Sequence, residues 1–255
     1  MELHMPAALA SGYRSRSQQA RVVTEAWGQR ELFCANCESP FLKPTPNNSR
    51  AVDLVCPRCA APFQLKAKRG SIGRIIDDGA YTAMLAAVRE DRTPNLVLMR
   101  YDWPAWTVVD LLLIPHFAFP ESAIVKRKPL APTARRAGWV GCNIDLSRIA
   151  PEAQIPVVTA CEPSPPAQVR ARYNRLKPLR EIKAIHRGWA LDVLNVLRQL
   201  GRLEFTNDEV YAFDRDLELL HPGNRHIRPK IRQQLQVLRD SRLLIHVGPG
   251  RWRLV

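Results

Sequence analysis

The chain has 255 residues, 46% hydrophobic and 24% charged, which suits a folded chain with a buried core and excludes a disordered one. Lysine and arginine outnumber aspartate and glutamate 38 to 24, a net charge of +14 that points to a polyanion such as nucleic acid unless it is only a basic surface. The most apolar run, residues 108–119, is interrupted by Asp110, Pro115 and His116. It falls short of a membrane helix, and the short apolar patch at 5–9 has no basic segment ahead of it, so no signal peptide is read and a cytoplasmic protein is expected.

In chain order, residues 15–27 read as a helix, with Ala20, Val23 and Trp27 at helical spacing. Residues 34–59 are turn-rich, with Pro40, Pro44, Pro46, Asn47 and Asn48, and short strands are expected at 51–55 and 62–66. Residues 77–90 read as a helix. The β-branched, apolar runs 96–101 and 107–114 read as strands. A basic loop is expected at 126–139. The prolines at 163, 165, 166 and 178 mark 162–178 as the end of the first domain and its linker.

The remainder changes pattern. Residues 188–200 form an amphipathic helix, and Thr206 with Glu209 makes a capping box that starts a second helix running to 220. A turn at 221–224 leads to a third helix, with Pro229 in its first turn, running to about 240. Short strands at 243–247 and 251–255, joined by Gly248, Pro249 and Gly250, complete a winged helix-turn-helix. Residues 221–255 carry eight basic side chains and one acid, so the third helix and the wing are the phosphate-facing side.

Cys34 and Cys37, then Cys56 and Cys59, form two C-x-x-C pairs at zinc-ribbon separation. Four thiolates suit a tetrahedral structural zinc with no open position for chemistry. Cys142 and Cys161 have no partner at ligand spacing and read as ordinary buried thiols.

Asp53, Gln64 and Lys66 form the other constellation. Gln64 and Lys66 share one strand face by the two-residue period, and Asp53 can share it across a hairpin. An acid, an oxygen ligand and a lysine suit magnesium-dependent phosphodiester hydrolysis. The same three residues on a solvated strand face are the competing reading. Glu25 reads first as a helix-surface acid and second as an extra metal ligand.

The amino-terminal MELH, Ser17-Gln18, Ala20-Arg21, Thr24-Glu25 with Trp27, the four cysteines, Asp53 with Lys66, and residues 77–81 together resemble the DpnI-like methyl-directed type II restriction endonucleases. So do residues 127–139, 141–147, 230–236 and 238–240, in the same order along the whole chain. The resemblance implies an α/β (α+β) restriction-endonuclease-like nuclease domain of the PD-(D/E)XK type with a four-cysteine zinc ribbon, followed by a small winged helix-turn-helix domain. The implied division is a nuclease domain at 1–180 with the ribbon elements at 34–59 inside it, a linker at 181–188, and the winged helix at 189–255. The implied activity is magnesium-dependent cleavage of double-stranded DNA at adenine-methylated GATC, with both domains reading the methylated site and the protein monomeric in solution. Asp53, Gln64 and, through its backbone carbonyl, Leu65 would hold magnesium, with Lys66 as the motif lysine. The family carries glutamate where this chain has Gln64, which weakens metal affinity and keeps alive a catalytically weak or inactive reader of methylated DNA.

Trp139 matches the tryptophan that the family uses to sense the methyl groups, and a packing tryptophan is the alternative. The neighbouring cations Lys126, Arg135 and Arg136 are candidate DNA contacts. On the third helix, Ile227, Ile231, Leu235 and Leu238 face the core, leaving Lys230, Gln233 and Gln234 to read bases. His226 and Arg232 join them as candidate contacts, and Arg251 and Arg253 in the wing are expected on phosphate.

Overall fold

The computed structural model describes residues 1–46 and 51–255; Asn47 and Asn48, expected in the turn between the cysteine pairs, lie outside the described residues. Helix α1 (Arg16–Glu31) follows Ser15, buries Val23, Thr24, Trp27 and Gly28, and outlasts the expected 15–27 by a turn. The Trp27 indole donates to the Glu2 carbonyl at 2.8 Å, tying the amino terminus to this helix. Strands β1 (Lys43–Pro44), β2 (Leu54–Val55) and β3 (Pro62–Lys68) follow.

The expected helix at 77–90 is shorter and starts later. Its first residues belong to strand β4 (Ile75–Ala80), and helix α2 is Tyr81–Arg89. Asp77, Asp78 and Gly79 are poor helix formers, and the backbone of this stretch finds a partner strand instead. Strands β5 (Asn95–Asp102) and β6 (Thr107–Ile114) lie where expected. Next come β7 (Ile124–Lys126), β8 (Gly141–Asp145), β9 (Ile155–Thr159) and β10 (Glu162–Pro163). The segment expected as a linker at 162–178 holds helix α3 (Pro166–Leu176), which buries Val169, Tyr173 and Leu176. Its prolines are helix punctuation: Pro165 and Pro166 stand at the first turn, where a missing N–H costs nothing, and Pro178 lies just past the end.

Helix α4 (Ala184–Gln199) leads to β11 (Glu204–Thr206), α5 (Asn207–Tyr211) and α6 (Asp214–Leu220). The expected helix 206–220 is thus two pieces, broken where Phe213 takes φ −98° and ψ 14°. Helix α7 (Ile227–Asp240) and the hairpin β12 (Leu244–Gly248) with β13 (Arg251–Leu254) end the chain. Among the described residues, no helix is long and apolar enough to cross a membrane.

The chain packs as two compact units. The first comprises Met1–Arg74, Arg92–His116 and Glu152–Leu176. Its seven-stranded sheet has the order β1-β2-β3-β5-β6-β9-β10, with β3 and β5 parallel and the other neighbours antiparallel. The buried Asn95 ties three parts of this unit together. Its amide donates to the Pro62 carbonyl at 2.9 Å, and its oxygen accepts from the His116 N–H and the Tyr173 hydroxyl. A fully buried amide satisfied on all these sides fixes the position of β3 within the sheet.

The second unit comprises Ile75–Asp91, Phe117–Pro151 and Lys177–Val255. It holds two three-stranded sheets, β4-β8-β7 and β11-β13-β12, with α2 and α4–α7. Helix α4 joins its parts through polar bonds. Ser122 donates to the Asp192 carboxylate at 2.5 Å, Asn195 donates to the Ser147 carbonyl at 3.0 Å, and the buried Arg187 pairs with Asp91. Mixed α/β structure in the amino-terminal part, with its cysteine cluster, therefore precedes a carboxyl-terminal helix-turn-helix with a wing.

Candidate nuclease and DNA-binding sites

The four cysteines of the two pairs converge. Their sulfurs all lie within 4.8 Å of one another, and none is in a disulfide. Cys34 Sγ is 3.6 Å from Cys59 Sγ, and Cys37 Sγ is 3.5 Å from Cys56 Sγ. Four sulfurs around one zinc at about 2.3 Å stand roughly 3.8 Å apart, so this donor set fits the ion and can bind it. Burial pushes the Cys56 thiol up, but the N–H groups of Cys59 and Arg58 and the neighbouring thiols bring it down to about 6. Burial keeps Cys34 well above the usual thiol range. Thiolate formation at such a cluster is coupled to metal binding.

Arg170 on α3 holds the first knuckle, and nothing in the sequence marked it. Its guanidinium donates to the carbonyls of Cys34 and Cys37 at 3.0 Å each and of Ser39 at 3.1 Å, and it lies 5.1 Å from the centre of the Phe33 ring. Of the two remaining cysteines, Cys142 is buried as expected and Cys161 is exposed. Cys161 sits in a tight turn after β9 with φ 65°, which leaves its side chain outside the core.

The expected strand at 51–55 shrinks to Leu54–Val55, with Asp53 immediately ahead of it. Its carboxylate accepts the Leu65 N–H at 2.8 Å, while its own N–H donates to the Phe63 carbonyl and its carbonyl accepts from Thr45. Asp53 is thereby fixed on both sides and lines a cavity of about 160 Å³ with Arg21, Glu25 and Gln29 of α1 and with Thr45, Val52 and Leu65. Burial raises the Asp53 carboxyl above the ordinary carboxylate value. The Leu65 amide opposes this, the Glu25 charge adds to it, and Lys66 and Arg21 lower it.

Gln64 and Lys66 occupy alternate positions of β3, opposite Leu96 and Leu98 of β5, and both are half-buried. The structure therefore brings Asp53, Leu65 and the charge of Lys66 together. Glu25, taken first as a surface acid, shares the cavity of Asp53 and Leu65 and is joined to Arg21 at 2.8 Å one turn away. Acid and carbonyl oxygens are a donor set that fits a hard divalent cation.

In the second unit, the loop between β7 and β8 is a braced hairpin. The Leu130 N–H donates to the Trp139 carbonyl, the Gly138 N–H to the Leu130 carbonyl, and the Arg127 N–H to the Gly141 carbonyl. Trp139 is half-buried, with the Arg136 guanidinium 4.8 Å from its ring centre. A Cβ at Gly141 would come within 2.8 Å of the Trp139 ring, so glycine is what allows the ring to lie against the backbone. Arg135 is exposed, and Lys126 stands 5.7 Å from the Tyr81 ring.

Helix α7 presents Arg232 and Gln233 to solvent, whereas Gln234 is only 2% exposed. This corrects the placement of Gln234 among the outward-facing readers. Positions 231, 234 and 238 follow the i, i+3, i+7 spacing of one face, so Gln234 lies on the packed stripe. Lys230 donates to Gln233 at 2.8 Å and lies 5.9 Å above the Trp189 ring. His226 stands at the N-cap position of α7, with no side-chain capping bond, and is exposed. Trp189 stacks on His221 with ring centres 3.7 Å apart, and His221 Nε2 lies 2.8 Å from Asp192.

Arg251 and Arg253 in the wing are both exposed and each lies 3.8 Å from Glu204. The Thr206–Glu209 capping box forms as its spacing predicts, the N–H of each residue donating to the side chain of the other. Trp252 of the wing donates to Asn207 at 2.9 Å, which locks the hairpin onto the start of α5.

Residues 1–182 match the Dam-replacing family, whose model carries the name DpnI, and residues 185–254 match the Dam-replacing helix-turn-helix domain. The second match falls on the helices and wing whose basic face supports DNA binding, and the first takes in the cysteine cluster and the Asp53 cavity. The chain thus belongs to the Dam-replacing family, the methyl-directed restriction-enzyme family of DpnI.

Proposed function

We propose that this chain is a magnesium-dependent type II endonuclease that cuts double-stranded DNA at adenine-methylated GATC sites and works in the cytoplasm as a monomer in solution. The observation that carries the reading is the Asp53 carboxylate, pinned by the Leu65 amide in a cavity and under the charge of Lys66, in a chain of this family. The PD-(D/E)XK assignment rests on this arrangement and on the resemblance. The division into a nuclease domain at 1–180 and a winged helix at 189–255 is part of the same proposal, although residues 184–188 of the expected linker at 181–188 already belong to α4.

Asp53, the Gln64 side-chain carbonyl and the Leu65 backbone carbonyl would hold magnesium, which when bound supplies charge neutralisation and activation of water at the scissile phosphate. Lys66 steadies negative charge developing on the phosphate, or orients the attacking water, from a strand position that packing against β5 keeps fixed. The zinc held by Cys34, Cys37, Cys56 and Cys59 is structural. In the second unit, Trp139 offers an apolar face to the methyl group beside Lys126, Arg135 and Arg136. The recognition helix approaches bases through His226, Lys230, Arg232 and Gln233, and Arg251 and Arg253 meet phosphate. The exposed or half-exposed positions of these residues support these roles, and the burial of Gln234 removes it from the set.

A second reading, a catalytically silent reader of methylated DNA, is favoured by the neutral side chain at Gln64. Digestion of one plasmid, with GATC adenines methylated or not and with magnesium or without, separates the two. Fragments that need both methylation and magnesium support the nuclease. A gel shift specific to methylated DNA without fragments supports the reader. Absence of both fragments and shift overturns the methyl-directed reading.

A further inference from the structure

We propose that Glu25 is a working member of the cation site, supplying the negative charge that Gln64 does not. The inference rests on the nuclease reading above and deepens it. A divalent cation bound by Asp53 and two neutral carbonyls would meet one negative charge, with Lys66 and Arg21 both close enough to act on Asp53. One anion against that much positive charge holds a hard dication poorly, since affinity at such sites follows the charge of the ligands.

Glu25 removes the deficit. It lies on α1 and lines the same cavity as Asp53 and Leu65. Its charge reaches the Asp53 carboxyl. The helix is held against the strand that carries Leu65, because a Cβ at Gly28, three residues after Glu25, would come within 3.0 Å of the Leu65 side chain.

Arg21 then has a definite place. It pairs with Glu25 at 2.8 Å and also lies within reach of Asp53. A guanidinium paired with Glu25 and lining the same cavity as Asp53 places positive charge where a dication would sit. Removing it should favour the cation, whereas an i,i+4 pair that serves only to stabilise the helix would give no such response.

The test is Mn2+ binding to the full, zinc-saturated chain, read from the loss of the free-ion electron paramagnetic resonance signal, with circular dichroism confirming that each variant is folded. Glu25→Gln should weaken Mn2+ by about 10- to 100-fold, the range for groups that tune a metal site. Arg21→Ala should tighten it. Gln64→Glu in the Glu25→Gln background should restore the lost affinity, because the charge returns at a different residue. Unchanged affinity in Glu25→Gln, with affinity lost in Asp53→Asn, overturns the role of Glu25 and leaves the nuclease reading standing. No loss in Asp53→Asn, or no binding by the unaltered chain, overturns the cation site and the role of Glu25 with it.

Discussion

The Asp53 carboxylate accepts the Leu65 N–H at 2.8 Å, so a side chain adds to the backbone bonds that Asp53 already makes to Phe63 and Thr45. The acid is oriented before any cation or DNA arrives, and the residue it grips is flanked by Gln64 and Lys66. Asp53→Asn should therefore abolish cleavage, and so should Lys66→Ala, while methylated-DNA binding in a gel shift stays within about twofold, as expected when charge is removed at one unit and the recognition helix lies in another. Cutting by Lys66→Ala at the unaltered rate would remove Lys66 from the chemistry.

Arg170 satisfies three backbone carbonyls around the first cysteine pair. Its side chain is 15% exposed, so truncation strands acceptors that water reaches poorly. Arg170→Ala should destabilise the chain by about 2–4 kcal/mol and speed zinc loss to a chelator, measured by denaturant unfolding and a colorimetric zinc indicator. Arg170→Lys should recover only part of this, because an ammonium cannot reproduce the planar fork.

Gly141 and Trp139 form a matched pair. Gly141→Ala pushes a methyl into the indole and should displace the ring, reducing the preference for methylated over unmethylated DNA about as much as Trp139→Ala does. One buried methyl is worth roughly 1 kcal/mol, so each variant should lose about fivefold in selectivity per methyl, read from paired binding titrations. Equal selectivity in Trp139→Ala and the unaltered chain would make Trp139 a packing residue.

The capping box gives a pH dependence of known sign. The Thr206 N–H, followed by the Thr206 hydroxyl and Arg202, holds the Glu209 carboxyl below its ordinary value of 4.5. A depressed folded-state value means that Glu209 adds stability above pH 4.5, and that this is lost as the pH falls through the lower folded-state value. Thr206→Ala should shift the acid unfolding of the winged helix toward higher pH, followed by the fluorescence of Trp252, which is bonded to Asn207 next door.

The four-cysteine cluster, the strand pair at 95–114, the capping box and the helices with a wing were legible because each is written in local spacing, although the helix expected at 206–220 is two pieces. Helix α3 was obscured by its own prolines, which mark a boundary without telling whether a linker or a helix start follows. Residues 75–80 became a strand because β8, 61 to 70 positions away in the paired register, offered a partner, and no local pattern announces that. Arg170 escaped for the same reason, and Glu25, read first as a surface acid and second as a metal ligand, could not be decided between the two. Glu25 faces a cavity and Arg170 a knuckle that exist only once distant segments have met. Gln234 was misplaced by a count along the helix that left out its i+3 relation to Ile231.

Asp192 on α4 is 3% exposed on its side chain and is held between Ser122 and His221. One of these partners lies before the boundary between the two family matches and the other after it. A chimera that exchanges the helix-turn-helix at residue 183 would give this carboxylate an unfamiliar neighbour. Exchanging residues 117–151 along with the carboxyl-terminal segment would move both partners together, so recognition in this family should be transplanted as a discontinuous piece.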